Sequence, residues 1–270
     1  MRAWVFATAA AVLASSPAQA GESACWFEEG TLVVPAVVAG AAGDYILDTG
    51  TARTILHDTR AQAEGFEQTQ LTGEVRVAGV VLRERPVVVE GLDARTYAHP
   101  TPIAGVIGAD VLSGFVLDVS YSPCRIALHR PASAPPTRGA VLPMGRFGHL
   151  PLAPAGVTDG VRGARGPWIL AVSQPLPARL NEAVATVPGA AKPEELYPGG
   201  VWTAQLAGLS FAGQVAPDVQ AGLLRQAEAD GALGAIGSPV LSRWTLRFDF
   251  PRGRLTLKEQ GPPLGSDGPR

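Results

Sequence analysis

The chain has 270 residues, 46% of them hydrophobic, with 22 Lys and Arg against 24 Asp and Glu and a formal net charge of −2. That balance gives no electrostatic footprint for nucleic acid or for an anionic membrane surface, and the apolar content suffices for one large core or two smaller ones. The 32 glycines, 24 prolines and short valine-rich runs point to strands joined by tight turns and exclude an architecture of long helices.

The first predicted element is a processing segment over residues 1–20. Arg2 precedes an apolar run from Ala3 to Ala14, and Ala18-Gln19-Ala20 offers a small-residue cleavage site. The run is too short to span a bilayer, and no later stretch approaches the roughly 20 apolar residues of a membrane helix. The expectation is an exported chain with no membrane span after cleavage. In an oxidising compartment the two cysteines, Cys25 and Cys124, are expected to form one disulfide. His57, His99, His129 and His149 are scattered without metal-ligand spacing, so neither a metal nor a cofactor is expected.

The next element is an apolar strand, Tyr45-Ile46-Leu47, running into Asp48-Thr49-Gly50-Thr51. Val75-Arg76-Val77 and Val80-Val81-Leu82 flank an Ala78-Gly79 pair and read as a two-residue hairpin. Gly105-Val106-Ile107-Gly108 leads into a short helix for which Asp110 is the predicted cap, and Val116–Tyr121 alternates as a strand. The proline-rich stretch from Pro131 to Gly139 marks a linker, assigned to 131–148.

A second pass of the same kind follows. Trp168-Ile169-Leu170-Ala171-Val172-Ser173-Gln174 corresponds to the first turn, and Gly234-Ala235-Ile236-Gly237 to the apolar-Gly motif. Placing Gly105–Leu128 over Gly234–Leu257 at a constant spacing of 129 needs no gap and matches Gly105/Gly234, Ile107/Ile236, Gly108/Gly237, Leu117/Leu246 and Arg125/Arg254 among others. The same spacing places Leu206-Ala207-Gly208-Leu209 on the Ala78-Gly79 hairpin. The expected organisation is a lobe at 21–130, the linker, a second lobe at 149–258, and a Gly- and Pro-rich tail at 259–270. The expected fold class is all-β, with two lobes arising by internal duplication and only short helices.

An Asp-Thr-Gly-Thr turn after an apolar strand, followed by an apolar-Gly turn, resembles the pepsin and retropepsin family of aspartic peptidases. The resemblance implies two β-barrel lobes about a pseudo-twofold axis and a peptide or protein substrate. It implies Asp48 as a catalytic carboxylate and Thr49 as a hydrogen-bonding partner across the lobe interface. Gly50 would let the backbone approach the carboxylate, and Thr51 would orient its outer oxygen.

Hydrolysis of that kind needs a water held between two aspartates that share a proton, because like charges so close cannot both ionise. Ala171 stands where the second aspartate belongs, and none of residues 164–178 is Asp or Glu. Three readings follow. Asp48 meets Asp48 of a second molecule in a homodimer, giving an aspartic endopeptidase; the lobes pack within one chain and the degraded cleft binds a peptide or envelope partner without cutting; or Asp48 works alone with a lobe-two hydroxyl such as Ser173. A flap is hard to place in lobe one, where Gly65–Gly73 is short and polar, whereas residues 196–201 of lobe two offer a Gly-rich turn with an aromatic. The leader and the alanine-rich, lysine-poor composition suggest the periplasm.

Overall fold

The structure is a computed structural model that describes residues 21–186, 193–197, 201–224 and 231–260. The processing segment, the tail from 261 and residues 198–200 of the candidate cover lie outside the described residues.

The first half contains β1 (Gly21–Ala24), β2 (Trp26–Glu28), β3 (Thr31–Val38), β4 (Ala41–Leu47), β5 (Ile55–His57), α1 (Asp58–Ala63), β6 (Gln70–Val77), β7 (Val80–Glu90), α2 (Asp93–Thr96), β8 (Ile103–Ile107), α3 (Ala109–Leu112), β9 (Val116–Tyr121) and β10 (Cys124–His129). The second contains β11 (Ala140–Pro143), β12 (Gly145–Phe147), β13 (Leu150–Thr158), β14 (Gly163–Leu170), β15 (Ala178–Asn181), α4 (Glu182–Ala185), β16 (Glu194–Tyr197), β17 (Val201–Phe211), β18 (Gln214–Leu224), β19 (Gly234–Ile236), α5 (Ser238–Leu241), β20 (Trp244–Asp249) and β21 (Arg254–Glu259). No helix among the described residues is long and apolar enough to cross a membrane.

Each half closes a barrel by the same route. In the first, the order β3-β4-β8-β5-β7-β6 is shut by a β3–β6 pairing; in the second, β13-β14-β19-β15-β18-β17 is shut by β13–β17. Closure removes the open edges that short valine-rich strands would otherwise present. In both halves the strand leading to the candidate turn runs parallel to the apolar-Gly strand, β4 beside β8 and β14 beside β19.

The barrel interiors explain the first glycine of each apolar-Gly motif. Tyr45 and Trp168 hold equivalent positions and are fully buried. A Cβ on Gly105 would lie 2.8 Å from Tyr45 Cε1 and 2.1 Å from Ile55 O; one on Gly234 would lie 2.5 Å from Trp168 Cζ3 and 2.2 Å from Arg179 O. Only hydrogen fits between the ring and the neighbouring strand.

A third sheet, β1-β10-β9-β20-β21-β11, draws strands from both halves. Its centre is the antiparallel β9–β20 pair, in which Asp118 faces Arg247 and Leu117 faces Phe248. The Cys25–Cys124 disulfide is present and joins the start of the first half to β10. Closing a loop of 99 residues contributes about 4 to 5 kcal/mol on the chain-entropy account.

Three local expectations change. The 131–148 segment, expected as a linker, carries β11, which pairs with β21, and β12, which pairs with β13. The hairpin equivalent to Ala78-Gly79 is Ala212-Gly213: both pairs have positive φ, whereas Ala207-Gly208 lies within β17. A two-residue hairpin turn of this hand requires positive φ at both central residues. Asp110 makes no helix-capping bond, because the N-cap of α3 is Gly108. Its Oδ1 instead accepts from Val111 N at 2.9 Å and from the Thr54 hydroxyl at 2.8 Å.

Candidate functional site

The two turns that end β4 and β14 are built by matching backbone bonds. Asp48 N donates to Ile107 O at 3.0 Å and Ala171 N to Ile236 O at 2.9 Å. Thr51 N donates to Asp48 O, and Gln174 N to Ala171 O; Ala109 N donates to Thr51 O, and Ser238 N to Gln174 O. Lobe two has therefore lost the side chains of the turn while keeping its backbone.

The turns meet face to face. Thr49 Oγ1 donates to Leu170 O at 2.6 Å and accepts from Val172 N at 3.3 Å. In return Ser173 Oγ donates to Leu47 O at 2.6 Å and accepts from Leu32 N at 2.9 Å. Ser173 lies one residue beyond the position equivalent to Thr49, yet its hydroxyl reaches back across the interface. A Cβ on Gly50 would sit 2.3 Å from Ala171 Cβ and 3.4 Å from Asp48 Oδ1, so the Ala171 methyl abuts this turn. Ala171 packs in a buried cluster with Ala109, Leu150 and Ile169, drawn from both lobes.

Two of the three readings meet obstacles here. Lobe two fills the face on which a second molecule would have to present its own Asp48, so the expected self-association finds no opening at this turn. The Ser173 hydroxyl is fully buried, with its donor and an acceptor position already engaged, and it is not free to act with Asp48 on a substrate.

Asp48 is 4% exposed, and four donors surround its carboxylate. Oδ1 accepts from Gly50 N at 2.9 Å and Ser173 N at 3.3 Å. Oδ2 accepts from Thr51 Oγ1 at 2.8 Å and from an Arg95 guanidinium nitrogen at 2.7 Å. The second terminal nitrogen of Arg95 donates to Thr51 Oγ1 at 2.8 Å, so the guanidinium spans both side chains. Tyr121, whose hydroxyl donates to Val172 O, is pushed well above its ordinary pKa by burial and then by the charge of Asp48.

Sequence reasoning brought Asp48, Thr49, Gly50 and Thr51 together and named Ser173 as a lobe-two hydroxyl working with Asp48; in the structure the Ser173 backbone N–H reaches the carboxylate, while its hydroxyl ties the lobes through Leu47 O. The participant it missed is Arg95, which carried no signal, since it lies in α2, far along the chain from the turn and outside any motif. A cavity of about 200 Å³ in lobe two is lined by Val157, Leu180, Ala185, Ala204 and Leu206 among others, and includes neither Asp48 nor Ala171.

No protein-family model and no curated protein matches the sequence. Among solved structures the fold is similar to that of an aspartic proteinase from Irpex lacteus, with a TM-score of 0.52 and 12% identity over 89% of this chain and 97% of the other. The chain therefore has the two-barrel architecture of an aspartic proteinase.

Proposed function

We propose that the protein uses this architecture to bind an extended peptide or protein segment between its lobes without hydrolysing it. The observation that carries the reading is the occupancy of Asp48: its four acceptor positions are taken by Gly50, Ser173, Thr51 and Arg95, and the lobe-two residue that abuts its turn at Gly50 is Ala171, which offers only a methyl group. A water between two carboxylates has neither a second carboxylate nor a free lone pair on the first. The fold likeness supports a peptide as the ligand class by analogy. An extracytoplasmic, periplasmic location is supported by the disulfide and by the leader-type pattern of residues 1–20.

The competing reading, an endopeptidase completed by a second copy, has the intact Asp48–Thr51 turn and the fold likeness in its favour. One experiment separates the two: incubation of the purified protein and its Asp48→Asn variant with casein between pH 3 and pH 7, with and without pepstatin. We expect no cleavage that depends on Asp48. Pepstatin-sensitive cleavage by the parent protein, absent from the variant, overturns the binding reading.

A further inference from the structure

Asp48 is nearly sealed from solvent, and a carboxylate so placed needs a cation. Arg95 supplies it from residues 91–102, a connection between β7 and β8 that belongs to no sheet. Gly91, Asp93, Ala94, Tyr97, Ala98 and Pro100 are exposed along it. Its backbone hydrogen bonds run inside the segment, from Arg95 and Thr96 to Leu92 O, from Tyr97 to Asp93 O and from His99 to Thr96 O.

What ties the segment to the barrel is a set of side chains: the buried Leu92, Asp93 with His57 at 3.3 Å, His99 with Thr31 at 3.3 Å, and Arg95 with Asp48 and Thr51. With few buried apolar contacts and no ladder bonds, the segment is held to the barrel by these side chains and not by backbone pairing, so a group that replaces the Arg95 contact removes a main tether. By contrast, the acceptors it covers are rigid. Asp48 Oδ2 and Thr51 Oγ1 belong to a turn locked by Ile107 O, Leu170 O and Ser173.

We propose that Asp48 and Thr51 form a receptor for a cationic Lys or Arg side chain of the bound segment, and that Arg95 is the internal stand-in that such a side chain displaces. This rests on the peptide-binding reading and adds the chemistry of selection. Exchanging one guanidinium for another leaves the buried carboxylate paired in both end states. A neutral side chain would strand it, and an acidic one would add like charge. Ala171 places no second charge in the site, so a single cation balances it. While Arg95 is seated, the apparent affinity for an outside cation is reduced by the fraction of molecules in which the site is open.

The test compares the parent protein, Arg95→Ala and Arg95→Ala/Asp48→Asn. Arg95→Gln stands in for Arg95→Ala if the latter does not fold. The first probe is ethylguanidinium chloride, read as a change in unfolding temperature. We expect a saturable rise at millimolar concentration in Arg95→Ala that is absent from the parent, whose site is filled, and from the double variant. The second probe is a blocked pentapeptide with a central Arg, against its Gln counterpart, read by titration calorimetry. The Arg peptide should bind Arg95→Ala at least about tenfold more tightly than it binds the parent, with the Gln peptide unaffected by the substitution.

An equal response to ethylguanidinium in the single and double variants, or none in either, overturns the cation site. Recovery by ethylguanidinium without binding of either peptide supports the cation site and sinks the peptide reading. Equal binding of the Arg and Gln peptides by all three proteins does the reverse.

Discussion

Asp118 and Arg247 are repeat equivalents, 129 residues apart, and they face each other across β9 and β20 as a two-pronged ion pair, with both guanidinium–carboxylate distances at 2.5 Å. The pseudo-twofold axis thus passes between two residues that have diverged to opposite charge. Hydrogen bonding to Asp118 raises the pKa of Arg247 further against the opposing effect of burial, and His129 Nε2 completes the cluster at 2.9 Å from Asp118 Oδ2.

Because the pair straddles the axis, its polarity should be invertible. Arg247→Ala is expected to lower stability by about 2 to 4 kcal/mol, since it leaves a largely buried carboxylate short of its cation. Asp118→Arg/Arg247→Asp should recover at least half of that loss in urea unfolding. A double variant no more stable than Arg247→Ala would show that the surroundings, and not the pairing, fix the orientation.

Ser173 is the second measurable joint. Ser173→Ala removes the bonds to Leu47 O and Leu32 N and should cost about 2 to 3 kcal/mol. Thr49→Val removes the reciprocal pair on the other lobe and should cost a similar amount. Losses below about 0.5 kcal/mol for both would mean that water replaces these bonds and the interface is looser than drawn.

The segment carrying Arg95 should respond to acid through His99. Burial lowers the pKa of His99, Glu28 and Glu29 oppose that shift, and Arg95 adds to it. The folded state therefore binds its proton less readily than the unfolded chain does. The stability that neutral His99 contributes is fully present above the unfolded value of about 6.5 and is lost as pH falls through the lower folded value. Hydrogen exchange across residues 91–102 should accelerate relative to the barrel strands on going from pH 7.5 to pH 5. His99→Gln should flatten that difference; an unchanged difference would assign the response to another group.

Much of this architecture was legible because its signals are local. Asp48-Thr49-Gly50-Thr51 and the apolar-Gly motifs specify a turn and a close approach that few other residues permit, and the constant spacing of 129 revealed the duplication. What failed was non-local. Ala207-Gly208 and Ala212-Gly213 are the same dipeptide, and only the pairing of β17 with β18, Phe211 opposite Gln214, decides which becomes the turn. Strand β11 has four residues at the edge of a sheet, too few for periodicity to show, and it exists because β21 offers Leu255 and Leu257 as partners to Leu142 and Ala140. Arg95 reaches Asp48 across 47 positions, a contact no spacing rule anticipates.

The shared central sheet has a consequence for synthesis. Strand β9 emerges from the ribosome with one side open, and the strand that covers it, β20, follows only after the whole second barrel has been made. Until then an apolar strand with unpaired backbone groups is available to other chains. The interval between translation of Val116 and of Asp249 is accordingly when this protein is most exposed to aggregation, and a chaperone that holds nascent strands would act there.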